Sequence, residues 1–290
     1  MTTHRSALAA AHIAALLFGL TGIFGALIKA PPSVITCGRA AFATFALAIF
    51  AFAQKRPLVH QLTWRKVRIF VFTGLLLTSH WVTFFIAVKV GGVAVATLGF
   101  ASFPAFIAML DALVFRERIG VSEALLLVLV TAGLILVVPS FDFGDNGTIG
   151  LVWGLVSGLS FAMLAMTNRR AGAGLDPIQV AFWQNIVVAA VLLPFAIGGV
   201  PALGTTDWVH LTLLGIVCTG LSHYLFVKSL GGLSARSVGM IIALEPVYAI
   251  ACAWWLFSEQ PSVRMLLGAA LIIFAIALST RSKAPEMQPA

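Results

Sequence analysis

Apolar residues run through the chain in long blocks, separated by short stretches that carry charge, proline or paired glycine. A hydrocarbon core roughly 30 Å thick asks for about 20 apolar residues per helix. By that measure the sequence predicts spans at 7–28, 33–53, 67–88, 93–115, 121–139, 148–167, 177–198, 207–229, 234–257 and 263–280. The runs lack the alternation of barrel strands, and within hydrocarbon only helices would then satisfy their backbone groups. The expected class is an all-α polytopic membrane protein with ten transmembrane helices. The first block, Ala7 to Ile28, is longer than a signal-peptide core and no small-residue cleavage site closes it, so it is expected to stay as the first span.

Composition agrees with the pattern. Of 290 residues, 60% are hydrophobic and 10% charged, and the mean hydropathy is +1.04. A soluble domain carries roughly 25% charged residues, so this chain cannot cover a water-exposed surface. Disordered, collagen-like and disulfide-stapled classes are excluded by the dominance of aliphatics, the scattered glycines and the three cysteines. Cys37, Cys218 and Cys252 all lie in apolar runs without CxxC spacing, so neither a disulfide framework, a metal site nor a cofactor is expected. The net charge of +8 sits in short loops rather than along one solvated face, which argues against a nucleic-acid partner.

Those loop charges set the orientation. With the N-terminus in the cytoplasm, the inner segments hold Arg5; Lys55, Arg56, Arg65, Lys66 and Arg68; Arg116 and Arg118; Arg169 and Arg170; Lys228 and Arg236; Arg281 and Lys283. The outer loops hold only Lys29, Lys89 and Arg264, and Arg39 falls within the second span. This asymmetry predicts cytoplasmic N- and C-termini. Trp64, Trp153, Trp208, Trp254 and Trp255 fall near span ends, where amphipathic rings prefer to sit, whereas Trp81 and Trp183 lie deeper.

The two halves repeat each other. Phe103-Pro104 through Phe115-Arg116-Glu117-Arg118 corresponds to Glu245-Pro246 through Phe257-Ser258-Glu259-Gln260. A glycine pair precedes each copy, at Gly91-Gly92 and Gly231-Gly232, and Phe18-Gly19 in the first span echoes Trp153-Gly154 in the sixth. The expected units are 1–140 and 141–290. Five spans per unit is an odd number, so the second would be inverted relative to the first. Glu117 is flanked by arginines and Glu259 by Ser258 and Gln260, as opposite sides of the membrane would require. Inverted repeats are an architecture of secondary transporters, with the substrate site near the midplane between the halves.

The repeated proline, apolar run and glutamate at the fourth span of each half resemble the EamA-type drug/metabolite transporter superfamily, and Arg39 in the second span matches the pattern of its first repeat. The resemblance implies ten helices, with spans 1–4 and 6–9 around a central cavity and spans 5 and 10 at the periphery. It also implies export of small metabolites without ATP. Met166-Thr167-Asn168-Arg169-Arg170-Ala171 is similar to the YddG-type exporters of aromatic amino acids, a subgroup from which the chain departs by placing Glu245 before Pro246.

Several intramembrane residues are candidates for the site. Glu245 is the deepest acid; it would meet a substrate ammonium or a coupling proton, or, protonated, bond the carbonyl freed by Pro246. Pro104 and Pro246 would be paired hinges, or static kinks. His80, Trp81 and Phe84 would form an aromatic, weakly polar face for a ring-bearing substrate, or a packing face. His223 and Tyr224 occupy the related region of the second half. Trp183 leads a polar cluster with Gln184 and Asn185, and Met163 and Tyr248 are wall residues with weaker claims. Arg39 and Asp111 read as structural, pairing or snorkelling from their span ends. Gly19, Gly22, Gly25, Gly150, Gly154 and Gly158 would let helices approach closely.

No HExxH, GxSG or Walker motif is present, which disfavours an intramembrane enzyme and excludes a pump powered by this chain alone. A channel stays open, to be separated from a carrier by saturable counterflow. The sequence-based expectation is an exporter of aromatic or neutral amino acids in the bacterial inner membrane, monomeric, partnered by its substrate and lipid, with another metabolite or a drug as alternative cargo. A fluorescent protein fused after Ala290 should fluoresce, and alkaline phosphatase fused there should be inactive; the reverse pattern would overturn the orientation.

Overall fold

A computed structural model describes residues 4–279 apart from 60–61, 117–118, 138–141, 143, 172–174, 231, 234–237, 239–240 and 243. Glu117, Arg118, Gly231, Arg236, Arg281 and Lys283 therefore lie outside the described residues. The described chain is helical, with no strand. It comprises α1 (His4–Leu27), α2 (Pro32–Ala53), α3 (Trp64–Phe100), α4 (Phe103–Phe115), α5 (Val121–Val137), α6 (Asn146–Ala171), α7 (Pro177–Ala196), α8 (Thr205–Thr212), a π-helical segment (Leu213–Leu221), α9 (Ser222–Leu230), α10 (Glu245–Phe257) and α11 (Val263–Ser279). Among the described residues, six stretches are long and apolar enough to cross a bilayer: His4–Leu27, Pro32–Ala53, Trp64–Phe100, Asn146–Asn168, Pro177–Ala202 and Thr205–Phe226. Shorter apolar helices accompany them.

Local chemistry sets the starts. Pro32 and Pro177 open α2 and α7, where a missing N–H leaves no bond unmade. Thr63 caps α3 by accepting from the Lys66 amide at 3.4 Å, and Asp176 caps α7 by accepting from Ile178 at 3.0 Å.

The long helix α3 is not straight. Gly92 has φ 82° and ψ 169°, a conformation that a side chain would strain, and the chain doubles back there. Contacts along α6 show the reversal. Gly91 meets Gly150 near the start of α6, while His80, before the turn, and Phe100, after it, both reach Phe161. The third and fourth spans are thus two arms of a hairpin.

The fourth span then breaks. Its first arm ends at Phe100, Ala101 and Ser102 interrupt it, and α4 begins at Phe103 with Pro104 in its first turn. The second half repeats this geometry: α10 begins at Glu245 with Pro246 in its first turn. Both helices have 13 residues, and both end on a left-handed residue, Arg116 (φ 56°, ψ 27°) and Ser258 (φ 55°, ψ 25°). This corrects the expectation of prolines inside continuous spans. First-turn amides have no intrahelical partner, so each proline opens a new helix and frees no mid-helix carbonyl.

Glycines hold the halves together. A Cβ on Gly150 would lie 2.5 Å from the Cα of Gly91, one on Gly154 3.0 Å from the carbonyl of Ala96, and one on Gly158 3.0 Å from Ser102 Oγ. A Cβ on Gly19 would lie 3.0 Å from the Glu245 carbonyl and 3.1 Å from the Ala249 amide. So α6 crosses the break in the first half, and α1 crosses the break in the second. Helices α5 and α11 pair through Gly133 and Gly268 and cover the outer face of Ala94, Val95 and Leu98.

Gly150→Val should lower the thermal unfolding midpoint in detergent, by the equivalent of about 1–3 kcal/mol, because backbone rather than a yielding side chain blocks the new atoms. Gly198→Val, at a position with nothing within 4 Å, should leave it unchanged. Equal midpoints would contradict the packing.

Candidate functional site

Arg39 lies one third of the way along α2 and is only 6% exposed. Its guanidinium carbon sits 3.9 Å from the centroid of the Trp81 ring and 5.9 Å from that of Phe85. Its Nε donates to Thr219 Oγ1 at 2.8 Å. Thr219 in turn donates to the carbonyl of Leu214, five residues back, at 2.8 Å. That spacing belongs to the π-helical segment, a geometry that recurs at functional sites. The segment reaches α2 because Gly215 has no Cβ: one placed there would strike Phe42 and lie 2.8 Å from the Arg39 carbonyl. Arg39 is therefore an interior cation. It neither snorkels from a span end nor pairs with Asp111, which sits half-buried on α4.

Glu245 is the first residue of α10, where the positive end of the helix dipole favours a carboxylate. Its side chain makes no hydrogen bond or ion pair among the described residues, so the alternative reading, a bond to a carbonyl freed by Pro246, is not formed. It interacts with Arg39 through charge alone, across more than the 4.0 Å of an ion pair. One turn on, the Tyr248 hydroxyl meets His12 Nδ1 of α1 at 3.2 Å. His12 was missed by the sequence reading; its signal was a lone histidine inside the first apolar run.

His80 and Trp81, adjacent in sequence, face different ways. Trp81 carries Arg39 on its ring, so that face is already occupied by a cation. His80 turns to α6. Ser157 donates its hydroxyl proton to the His80 carbonyl at 3.0 Å, so in the 2.8 Å bond between Nδ1 and Ser157 Oγ the imidazole is the donor. The His80 ring packs among Phe100 (4.9 Å), Phe161 (5.0 Å) and Phe84 (6.4 Å), and Phe103 stacks on Phe100 at 5.3 Å. The single face predicted from His80, Trp81 and Phe84 is thus two: an aromatic cluster at the break of the first half, and a cation–π stack beside it.

Other candidates scatter. Trp183 donates its indole N–H to the Leu58 carbonyl at 2.9 Å, as Gln179 Nε2 does, so it ties down the loop after α2 instead of lining a midplane site. Gln184 donates to Asn168 Oδ1 at 3.0 Å, joining α7 to α6. His223 and Tyr224 are exposed on α9, with Tyr224 edge-on to Phe50 at 5.2 Å, and Met163 is exposed on α6.

The bundle is tied at the Gly92 end. Lys89 Nζ donates to the carbonyls of Ile28 (2.6 Å) and Ala26 (3.2 Å), where α1 ends. Asp207 accepts from the Lys29 amide at 2.8 Å and the Gly204 amide at 3.1 Å, fastening the start of α8 to the end of α1. The Glu259 carboxylate lies against Gly92.

The model of the EamA-like transporter family matches residues 5–138 and, again, 148–281. The chain belongs to the EamA-like transporter family. It is 24% identical over 276 residues to the uncharacterized transporter YxxF of Bacillus subtilis, covering 92% of this chain and 87% of that one. It is 23% identical over 264 residues to the pseudopaline exporter CntI of Pseudomonas aeruginosa, covering 90% and 92%. The S-adenosylmethionine uptake transporter of Rickettsia felis is 27% identical over 220 residues, covering 75% and 70%. A solved crystal structure superposes with a TM-score of 0.67 at 19% identity, over 96% of this chain and 98% of that one, a likeness of fold. As an EamA-like protein the chain is a multi-pass membrane transporter built on a doubled domain.

In this EamA-like chain Ser157 gives His80 both its acceptor and its carbonyl donor. Ser157→Ala should cost about 1 kcal/mol, read as a lower thermal midpoint, because the His80 carbonyl loses its donor and the imidazole N–H keeps only the longer bond to the Ser157 carbonyl at 3.3 Å. An unchanged midpoint would mean that the pair is not formed.

Proposed function

We propose that this EamA-like protein is a secondary transporter that exports small metabolites, aromatic or neutral amino acids above all, across the bacterial inner membrane by alternating access. The observation that supports it best is the pair of broken helices, each crossed at its break by the first helix of the opposite half. Two such joints let the halves rock about a central site by exchanging conformations. The reading takes the chain as ten helices in two inverted five-helix units, 1–140 and 141–290, with both termini in the cytoplasm. Relatives named as a pseudopaline exporter and an S-adenosylmethionine uptake transporter favour a small-metabolite cargo.

Within this reading Glu245 receives the substrate ammonium or a coupling proton, since its carboxylate has no hydrogen-bond or ion-pair partner among the described residues. Tyr248 and Trp81 border that position. The His80, Phe84 cluster and the His223, Tyr224 and Met163 side chains line the path, and Pro104 and Pro246 mark the joints.

The test is counterflow in proteoliposomes loaded with one unlabelled amino acid at a time, with labelled phenylalanine outside. Saturable accumulation with aromatic or large neutral loads is the expected result; no exchange with any amino acid by folded protein would overturn the substrate class. Glu245→Gln should reduce exchange at least about tenfold or abolish its pH dependence, and wild-type rates from about pH 5 to 8 would remove Glu245 from the mechanism.

A further inference from the structure

We propose that Arg39 is the anion-binding residue of the transport site, taking the carboxylate of a substrate whose ammonium faces Glu245. This rests on the amino-acid reading above, and adds to it a residue that sequence alone assigns to structure.

A guanidinium has five N–H donors. Thr219 takes the one on Nε, and Nη1 and Nη2 make no hydrogen bond in the described structure. They are not sealed in either. Among the described residues, the buried side-chain polar atoms without partners are Thr21 Oγ1, Thr36 Oγ1, Asn185 Oδ1 and His210 Nδ1, and no atom of Arg39 is among them. A side chain only 6% exposed thus keeps a terminal fork that is neither fully enclosed nor bonded to a protein group among the described residues.

The surroundings fix how such a group approaches. Trp81 covers a face of the guanidinium plane at 3.9 Å, and Thr219 holds the Nε side. What stays free is the Nη edge, whose parallel N–H groups match the two oxygens of a carboxylate. A cation with a purely structural role is satisfied by the protein, as the exposed Lys89 is by the carbonyls of Ala26 and Ile28 at the end of α1. Arg39 is not.

Charge balance points the same way. An unpaired intramembrane charge is costly. The acid that acts on Arg39 is Glu245, itself without a hydrogen bond and beyond ion-pair distance. Two other titratable groups share a field with Arg39: the Cys218 thiol, and His80, which is committed to Ser157. A zwitterion placed between Arg39 and Glu245 pairs both charges at once, whereas a simple amine or a simple carboxylate pairs one.

The test uses purified full-length protein with phenylalanine, 3-phenylpropionate (carboxylate only), phenylethylamine (ammonium only) and succinate (carboxylates without a ring). Binding is read from ligand-dependent shifts in the thermal unfolding midpoint, and exchange from counterflow. Arg39→Gln should weaken phenylalanine and 3-phenylpropionate about 30-fold, the loss of a charge-assisted hydrogen bond, and leave phenylethylamine unchanged. Arg39→Lys keeps the charge without the fork; it should fall between the two, and serves as the readout if the glutamine variant does not fold. Unchanged carboxylate binding in a folded variant, or equal weakening of carboxylates and amine, overturns the assignment. If the wild-type chain exchanges no amino acid but binds succinate or 3-phenylpropionate through Arg39, the amino-acid reading falls and the anion site stands. No carboxylate binding to the wild-type chain overturns the site itself.

Discussion

Within hydrocarbon a helix gains little by burying one apolar side chain against another, because lipid tails are equally apolar. What holds such a bundle is dispersion at close range, and range is set by the smallest side chains. Here the contacts that matter run backbone to backbone, through Gly150 and Gly91, Gly154 and Gly99, and Gly19 against the first turn of α10. Remove these and α6 cannot lie in the α3 hairpin, nor α1 over the start of α10. The aromatic cluster around His80 and the stack of Arg39 on Trp81 both depend on that approach.

The same contacts explain how broken helices survive in the bundle. A break leaves backbone groups unpaired, which hydrocarbon does not forgive but a protein-lined interior does. At the first break Ser102 donates its hydroxyl to the Gly99 carbonyl at 2.7 Å, and α6 covers the gap with Gly158. At the second, Glu245 takes the first helical position, with α1 overhead at Gly19. The breaks are where polar groups can exist at depth, and the joints of the fold and its charged residues therefore fall together.

Much of the architecture was legible in the pattern of residues. Apolar blocks of spanning length marked the helices, and the glycine pair at 91–92 marked the reversal between the third and fourth spans. The spacing from Pro104 to Glu117 and from Pro246 to Glu259 marked the doubling, which the two family matches repeat. What misled was reading each span as one continuous rod. A proline in an apolar run looks the same whether it kinks a helix or starts one, and the difference lies in the dihedrals of Ser102 and Leu244 before it.

Residue type and spacing by themselves determined that this chain lives in a membrane, as helices, in two related halves. Burial of backbone in hydrocarbon permits few alternatives, so composition and periodicity suffice. Which side chains meet was decided only by tertiary structure. Sequence grouped His80 with Trp81 because they are neighbours in the chain, but adjacent residues on a helix point about 100° apart. Their partners come from α6 and α2, at separations of 77 and 42 residues. Arg39 likewise read as pairing or snorkelling from a span end, until Gly215 and the π-helical turn brought Thr219 to its Nε in the interior. Such encounters depend on how closely two helices approach, a distance that no single span carries in its own sequence.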